Sequence, residues 1–203
     1  MTLYPGLILA GGDGTRLGGV DKGMVELAGL RLMERVIDRL APQCATLAIS
    51  ANGDPKRYSE FGYPILPDGA SESQGPLAGV LAGLDWAAAK GFKAIVTVAT
   101  DTPFLPENLV TRLATVSQPE GFGIAVTEEE GEQRWHPTFG LWPVTVRDDL
   151  RAALARHQRR MQQFAESKGA VPVLFDGPGA DTAFFNINTA EDLAKAESLL
   201  VEA

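Results

Sequence analysis

Residues 7–23 read LILAGGDGTRLGGVDKG. The first four are apolar and strand-forming, and they run straight into a loop of six glycines around Arg16 and Lys22. Such a loop carries few side chains and leaves room for a ligand. Glycine permits positive φ and close backbone approach, and the exposed N–H groups of such a turn form an anion-binding nest. Open α/β sheets bind ligands where their strands end. The stretch therefore predicts a strand of an α/β sheet and a phosphate cradle at its carboxyl end.

Working outward, short apolar runs at 47–50, 65–66, 94–98 and 123–126 alternate with segments of helical spacing, which predicts a mostly parallel sheet between helices. Leu32, Met33, Val36, Ile37 and Leu40 share one helix face, and Pro42 stops that helix. Further helices are expected over 77–90, over 106–116 and within a basic region at 144–168. A strand is expected near 171–175. Thr189 is a credible N-cap for a terminal helix with Glu191 and Asp192 in its first turn. The aromatic stretch WHPTFGLW at 135–142 marks a mixed half with antiparallel or edge strands, and 128–131 reads as an exposed turn. No interdomain linker is apparent, so all 203 residues are expected to form one domain.

Eighteen Lys and Arg against 26 Asp and Glu give a net charge of −8, which opposes attraction to nucleic acid and to acidic membrane surfaces. Cys44 is alone, so it pairs with no other cysteine of the chain and is expected to pack. Neither a secretory leader pattern nor an 18-residue apolar run appears, and a cytoplasmic location is expected. His136 and His157 are the only histidines and lack metal-ligand spacing, which argues against zinc.

Two familiar phosphate motifs fail in the loop. A P-loop needs Gly-Lys followed by Ser or Thr, whereas Asp21-Lys22-Gly23 stands here; the dinucleotide pattern beginning at Gly12 meets Leu17 where its last glycine belongs. Asp101 follows the apolar run at 94–98 and precedes Pro103, placing a carboxylate at the same sheet edge, where a hard cation would join phosphate oxygens. Asn52 and Asp68 follow the second and third strands. Gly75-Pro-Leu-Ala-Gly79 opens a helix, a further anion site. Asn186 and Asn188 lie two apart and share a face if extended. Arg156, Arg159 and Arg160 form a basic patch that reads either as a solvated face or as a contact for an anion or an acidic partner.

Leu9, Ala10, Gly11 and Gly12, then Arg16, then Asp21-Lys22-Gly23, resemble the signature of enzymes that transfer a nucleoside monophosphate and release pyrophosphate. With Ser50-Ala-Asn52, Asp68, the segment ending at Gly79, Thr100-Asp-Thr-Pro103, His136-Pro137 and Asn186-Ile-Asn-Thr189, nearly the whole chain resembles the molybdenum cofactor guanylyltransferase family. The resemblance implies a three-layer α/β/α fold with a Rossmann-like nucleotidyltransferase sheet. It also implies transfer of GMP from GTP to molybdopterin, with Mg²⁺ on Asp101, the triphosphate on the glycine loop with Arg16 and Lys22, and Asn52 and Asp68 in the guanine nucleotide site. The N-terminal half would then bind GTP, and the C-terminal half molybdopterin through Asn186 and Asn188, with His136 shaping that end. Molybdoenzyme apoproteins or their chaperones are the implied partners. The family commonly has Cys where Thr100 stands. Three other readings remain at this point: a sugar-phosphate nucleotidyltransferase, a molybdopterin cytidylyltransferase, against which the second glycine of Leu9-Ala-Gly-Gly12 speaks, and a carrier that performs no chemistry.

Overall fold

The computed structural model of the chain describes residues 4–11, 21–67, 75–115, 121–177 and 179–202. Gly12, Arg16 and Asp68 lie outside the described residues.

Strand β1 (Gly6–Leu9) is followed by a hairpin of β2 (Glu26–Leu27) and β3 (Leu30–Arg31), then α1 (Leu32–Leu40), β4 (Leu47–Ser50) and β5 (Ile65–Leu66). Helix α2 (Pro76–Ala89), β6 (Ala94–Ala99), α3 (Leu109–Thr115), β7 (Gly123–Glu129) and β8 (Glu132–Pro143) come next. Helices α4 (Arg147–Ala155) and α5 (Met161–Ser167), β9 (Val171–Leu174), α6 (Ala180–Ala183) and α7 (Ala190–Glu202) complete the order. The large sheet runs β5-β4-β1-β6-β8-β7-β9. β1 pairs in parallel with β4 and β6, β4 with β5, and β7 with β9, while β8 is antiparallel to both β6 and β7. Six strands therefore point one way and β8 alone is reversed.

The period-2 alternation of β1 builds both faces. Ile8 and Ala10 pack with Met33, Val36 and Leu40 of α1 and Leu109 and Leu113 of α3. Leu7 and Leu9 pack with Leu77, Val80 and Leu84 of α2, Leu150 and Leu154 of α4 and Phe164 of α5. This gives the three layers expected of the fold class. A third cluster joins Leu27 and Leu32 to Ile187, Leu193 and Ala196, which seats α7 on the small hairpin.

As expected of this half, β9 takes the sheet edge, and the aromatic stretch lies in β8, an interior strand antiparallel to both its neighbours. Its pairing with β7 jumps from Ile124↔Gly140 to Ala125↔His136, so residues 137–139 bulge out. Pro137 within that bulge hides the strand from periodicity. The region 144–168 is helical as expected: a 3₁₀ turn, Val144–Val146, precedes α4, and residues 156–160 separate α4 from α5. Pro106 only begins the turn into α3, its carbonyl accepting from Leu109 N at 3.1 Å. Cys44 packs half-buried, and burial pushes its thiol up to about 12.

At the break after α4, His157 sits at φ +60°, where an L side chain is strained and glycine is not. His157→Gly is expected to stabilise the protein by about 0.5–1 kcal/mol. Urea unfolding would read this as a higher midpoint at unchanged slope, and a lower midpoint would contradict the assignment.

Candidate functional site

The chain leaves β1 for β4 on one side and later reaches β6 on the other, so the strand order reverses at β1 and β6. Ligands of open α/β sheets bind outside the carboxyl ends at such a point. The two ends are stitched together: Leu9 O accepts from Thr100 N (3.2 Å) and Thr100 Oγ1 (3.0 Å), and Ser50 O accepts from Ala10 N at 2.8 Å. A cavity of about 390 Å³ opens there, lined by Leu9, Ala10, Gly11, Lys22, Gly79, Asp101 and Asn186, among others.

Lys22 opens a short 3₁₀ turn, Lys22–Met24, whose cap is Asp21; Gly23 N donates to Asp21 Oδ1 at 3.1 Å. Asp21 is fixed in turn by Arg57 Nη1 at 2.9 Å and by the hydroxyl of the fully buried Tyr58. Burial and the Asp21 hydrogen bond push the Tyr58 phenol above its ordinary pKa. From this anchored base, Lys22 Nζ donates to Asp101 Oδ2 at 2.9 Å and to Asn188 Oδ1. The Lys22 and Asp101 side chains are only 20% and 19% exposed, so solvent screens their pairing far less than a surface ion pair.

The Asn186–Asn188 segment is held against the same point. Ile187 N donates to Asp101 O at 2.8 Å, and Thr102 Oγ1 donates to Asn186 Oδ1. Below it, Asp192 Oδ2 accepts from Asn188 N and Thr189 N at 2.9 Å each, while Asp192 N donates to Thr189 Oγ1 at 3.1 Å. The Asn188 N–H bond, with those of Thr189, lowers the Asp192 carboxyl below its usual range. Thr189 is thus the expected cap, with Asp192 as its reciprocal partner.

Asn186 also lines a second cavity of about 340 Å³, which Asn188, His136, Thr127 and Phe184 share. There His136 Nε2 lies 2.9 Å from Thr127 Oγ1, and the ring stacks on Phe184 at 4.3 Å. Burial, reinforced by Arg134, holds the imidazole down at about 4. The unfolded chain takes up this proton near the ordinary value while the native ring stays neutral. Stability from this group is therefore lost as pH falls from about 6.5 to 4, by less than about 1.4 kcal/mol per pH unit because water partly reaches the ring. Urea unfolding between pH 4.5 and 7 is expected to show that component in the native sequence and not in His136→Gln; equal slopes would refute it.

The structure thus brings Leu9, Ala10, Gly11, Lys22, Gly79, Asp101, Asn186 and Asn188 together. Asn52 stands two residues beyond β4 at the same edge, outside the residues lining the first cavity, and its carbonyl accepts from Arg57. At Gly79 an added Cβ would lie 2.5 Å from Ser50 Oγ and 3.0 Å from Leu9 Cδ2, so this glycine lets α2 approach β1 and β4 closely. Sequence reasoning missed Thr102 and the Arg57 and Tyr58 braces. Thr102 was within reach, since it directly follows Asp101 in the quoted motif, whereas the braces come from a helical turn, Pro55–Phe61, with no periodic pattern. Among the described residues no group of three or more His, Cys, Asp or Glu is placed to hold a metal ion. Among the described residues lining the first cavity the one carboxylate is that of Asp101, which already holds the ammonium of Lys22.

Comparisons with known proteins show the family. The MobA-like NTP transferase domain matches residues 6–171. The chain is 50% identical over 195 residues to a molybdenum cofactor guanylyltransferase of Cereibacter sphaeroides, covering 96% of each chain. It is 47% identical over 200 residues to one from Mesorhizobium japonicum, covering 96% of this chain and 95% of that one. In fold it is similar to molybdopterin-guanine dinucleotide biosynthesis protein A from Archaeoglobus fulgidus, with a TM-score of 0.77, 24% identity and coverage of 98% of this chain and 100% of that one. With that coverage and identity, the chain belongs to the molybdenum cofactor guanylyltransferase family, within the MobA-like NTP transferases.

Proposed function

We propose that the protein transfers GMP from GTP to molybdopterin. The observation that carries this reading is the meeting of Lys22, Asp101 and Asn188 at the boundary of two cavities. An oxygen of the pterin's terminal phosphate attacks the α-phosphorus of GTP, a new P–O bond forms, and the bond to the β-phosphate breaks with its electron pair leaving on pyrophosphate. The attacking phosphate is already anionic at neutral pH and needs no general base, so positioning and charge neutralisation carry the step. Backbone N–H groups of the loop after Leu9, together with Arg16 and Lys22, bind the triphosphate. Asn52 and Asp68 orient the nucleotide. Asn186 and Asn188 face the pterin, with His136 behind them as a neutral ring.

Asp101 suits Mg²⁺, because it is a single, partly buried carboxylate that already accepts a cation. When bound, Mg²⁺ neutralises charge on the phosphates of the substrate and leaving group. Arg159 and Arg160 line a third cavity of about 570 Å³ that shares Pro76 and Thr138 with the first, a position suited to the acceptor's anionic group. Arg156 caps the end of α4 and serves no role in this reading. The reaction belongs in the cytoplasm, with the product passing to molybdoenzyme apoproteins or their chaperones. Among the described residues no helix is long and apolar enough to cross a membrane.

The test mixes the purified protein with molybdopterin, Mg²⁺ and each nucleoside triphosphate separately, and measures pyrophosphate and the nucleotide attached to the pterin. GTP alone is expected to react. Turnover with CTP instead, or with a sugar phosphate as acceptor, overturns the assignment. Tight binding of both substrates without pyrophosphate release would make the protein a carrier.

A further inference from the structure

We propose that Lys22 is a clasp that closes the metal carboxylate and the acceptor amide in the free protein and is opened by the nucleotide. The inference rests on the reading that Asp101 receives the divalent cation and that the triphosphate meets Lys22. An ammonium has three protons to donate. Two are committed here, one to Asp101 Oδ2 and one to Asn188 Oδ1, from residues 79 and 166 positions away in sequence. The base of Lys22 is anchored through Asp21, Arg57 and Tyr58, so the freedom left to its charge lies in the side chain.

A divalent cation held by Asp101 would compete for Oδ2 with an ammonium already 2.9 Å from that oxygen, and would be repelled by its charge. The other oxygen, Oδ1, lies 3.4 Å from Thr102 Oγ1, whose proton goes to Asn186. The free protein should therefore bind a divalent cation poorly. A triphosphate arriving in the cavity offers Lys22 several anionic oxygens in place of one carboxylate oxygen and one neutral amide. When Lys22 turns to them, the same movement exposes Asp101 to the metal and frees Asn188 Oδ1 for the second substrate. The cation and the nucleotide are then bound cooperatively, and the acceptor amide becomes available only after nucleotide arrives. Linkage makes the coupling reciprocal.

Mn²⁺ is the probe, with free Mn²⁺ read by electron paramagnetic resonance on the full chain, with and without a GTP analogue that has a methylene bridge between its α- and β-phosphorus atoms. Wild type is expected to bind Mn²⁺ weakly alone and at least tenfold more tightly with the analogue. Lys22→Met is expected to bind Mn²⁺ alone at least tenfold more tightly than wild type, and Lys22→Met/Asp101→Asn to lose that gain. Circular dichroism establishes that each variant is folded. A second measurement does not depend on Lys22 variants: Asn188→Ala removes one of the two interactions the nucleotide must break, so calorimetry without pterin should show Mn²⁺-analogue binding two- to fivefold tighter. Weaker or unchanged binding by Asn188→Ala, or no gain in Mn²⁺ affinity in Lys22→Met, overturns the clasp while leaving the nucleotide site intact. A wild-type protein that binds neither Mn²⁺ nor the analogue overturns the clasp and the parent reading together.

Discussion

Lys22→Ala is expected to lower kcat/KM for GMP transfer by roughly 10²- to 10³-fold, equivalent to about 2.7–4 kcal/mol of transition-state stabilisation, by analogy with the loss of one oxyanion donor. The effect is large because the ammonium is partly buried, its side chain being 20% exposed, and there a fixed charge acts more strongly than in bulk water. Asp101→Asn should fall in the same range. The two residues act on one set of phosphates, so the double variant should lose much less than the product of the single losses. Steady-state kinetics on folded protein checks this; a folded Lys22→Ala enzyme within threefold of wild type would remove Lys22 from the mechanism.

Trp142→Ala is expected to cost about 3–5 kcal/mol of folding stability, a fall in midpoint temperature of roughly 6–20 °C for a chain of this size. Trp142 is fully buried on β8, with its ring 4.6 Å from Phe122 and stacked 6.3 Å from Phe164. Its Nε1 donates to the buried Thr97 Oγ1 at 3.0 Å. Truncation leaves a cavity between the sheet and α5 and takes away the hydroxyl's close partner. Trp142→Phe keeps most of the ring and should recover more than half of the loss in urea unfolding; equal losses in the two variants would show that packing is not the main contribution.

The N-terminal half of the fold was legible because its strands are continuous apolar runs buried on both faces, and such runs are read directly from composition. Lys22 and Asp101 could be singled out as candidates, since Lys22 precedes Gly23 in the glycine-rich stretch and Asp101 stands two residues beyond β6 and two before Pro103. Their direct ion pair was not legible, because a separation of 79 residues is closed only by the sheet order. The C-terminal half was harder to read. β8 carries Pro137 inside a bulge, and the left-handed His157 lies at a boundary between α4 and α5 that spacing alone does not mark. In both places tertiary contacts override the local pattern. Thr189 and Asp192 form the opposite case, in which a cap visible in four residues fixes the backbone of Asn188.

The reversed direction of β8 decides which of its residues reach the crevice. Parallel strands deliver only their carboxyl ends there, whereas β8 delivers its earlier residues, so Thr138 lines the first cavity and His136 the second. The hairpin joining β7 to β8 turns at Glu130 and Gly131, both exposed. Residues of one hairpin, separate in sequence from β1, thus help to line both cavities. A change in the length or packing of that hairpin would reshape both cavities while leaving the carboxyl end of β1 as it is.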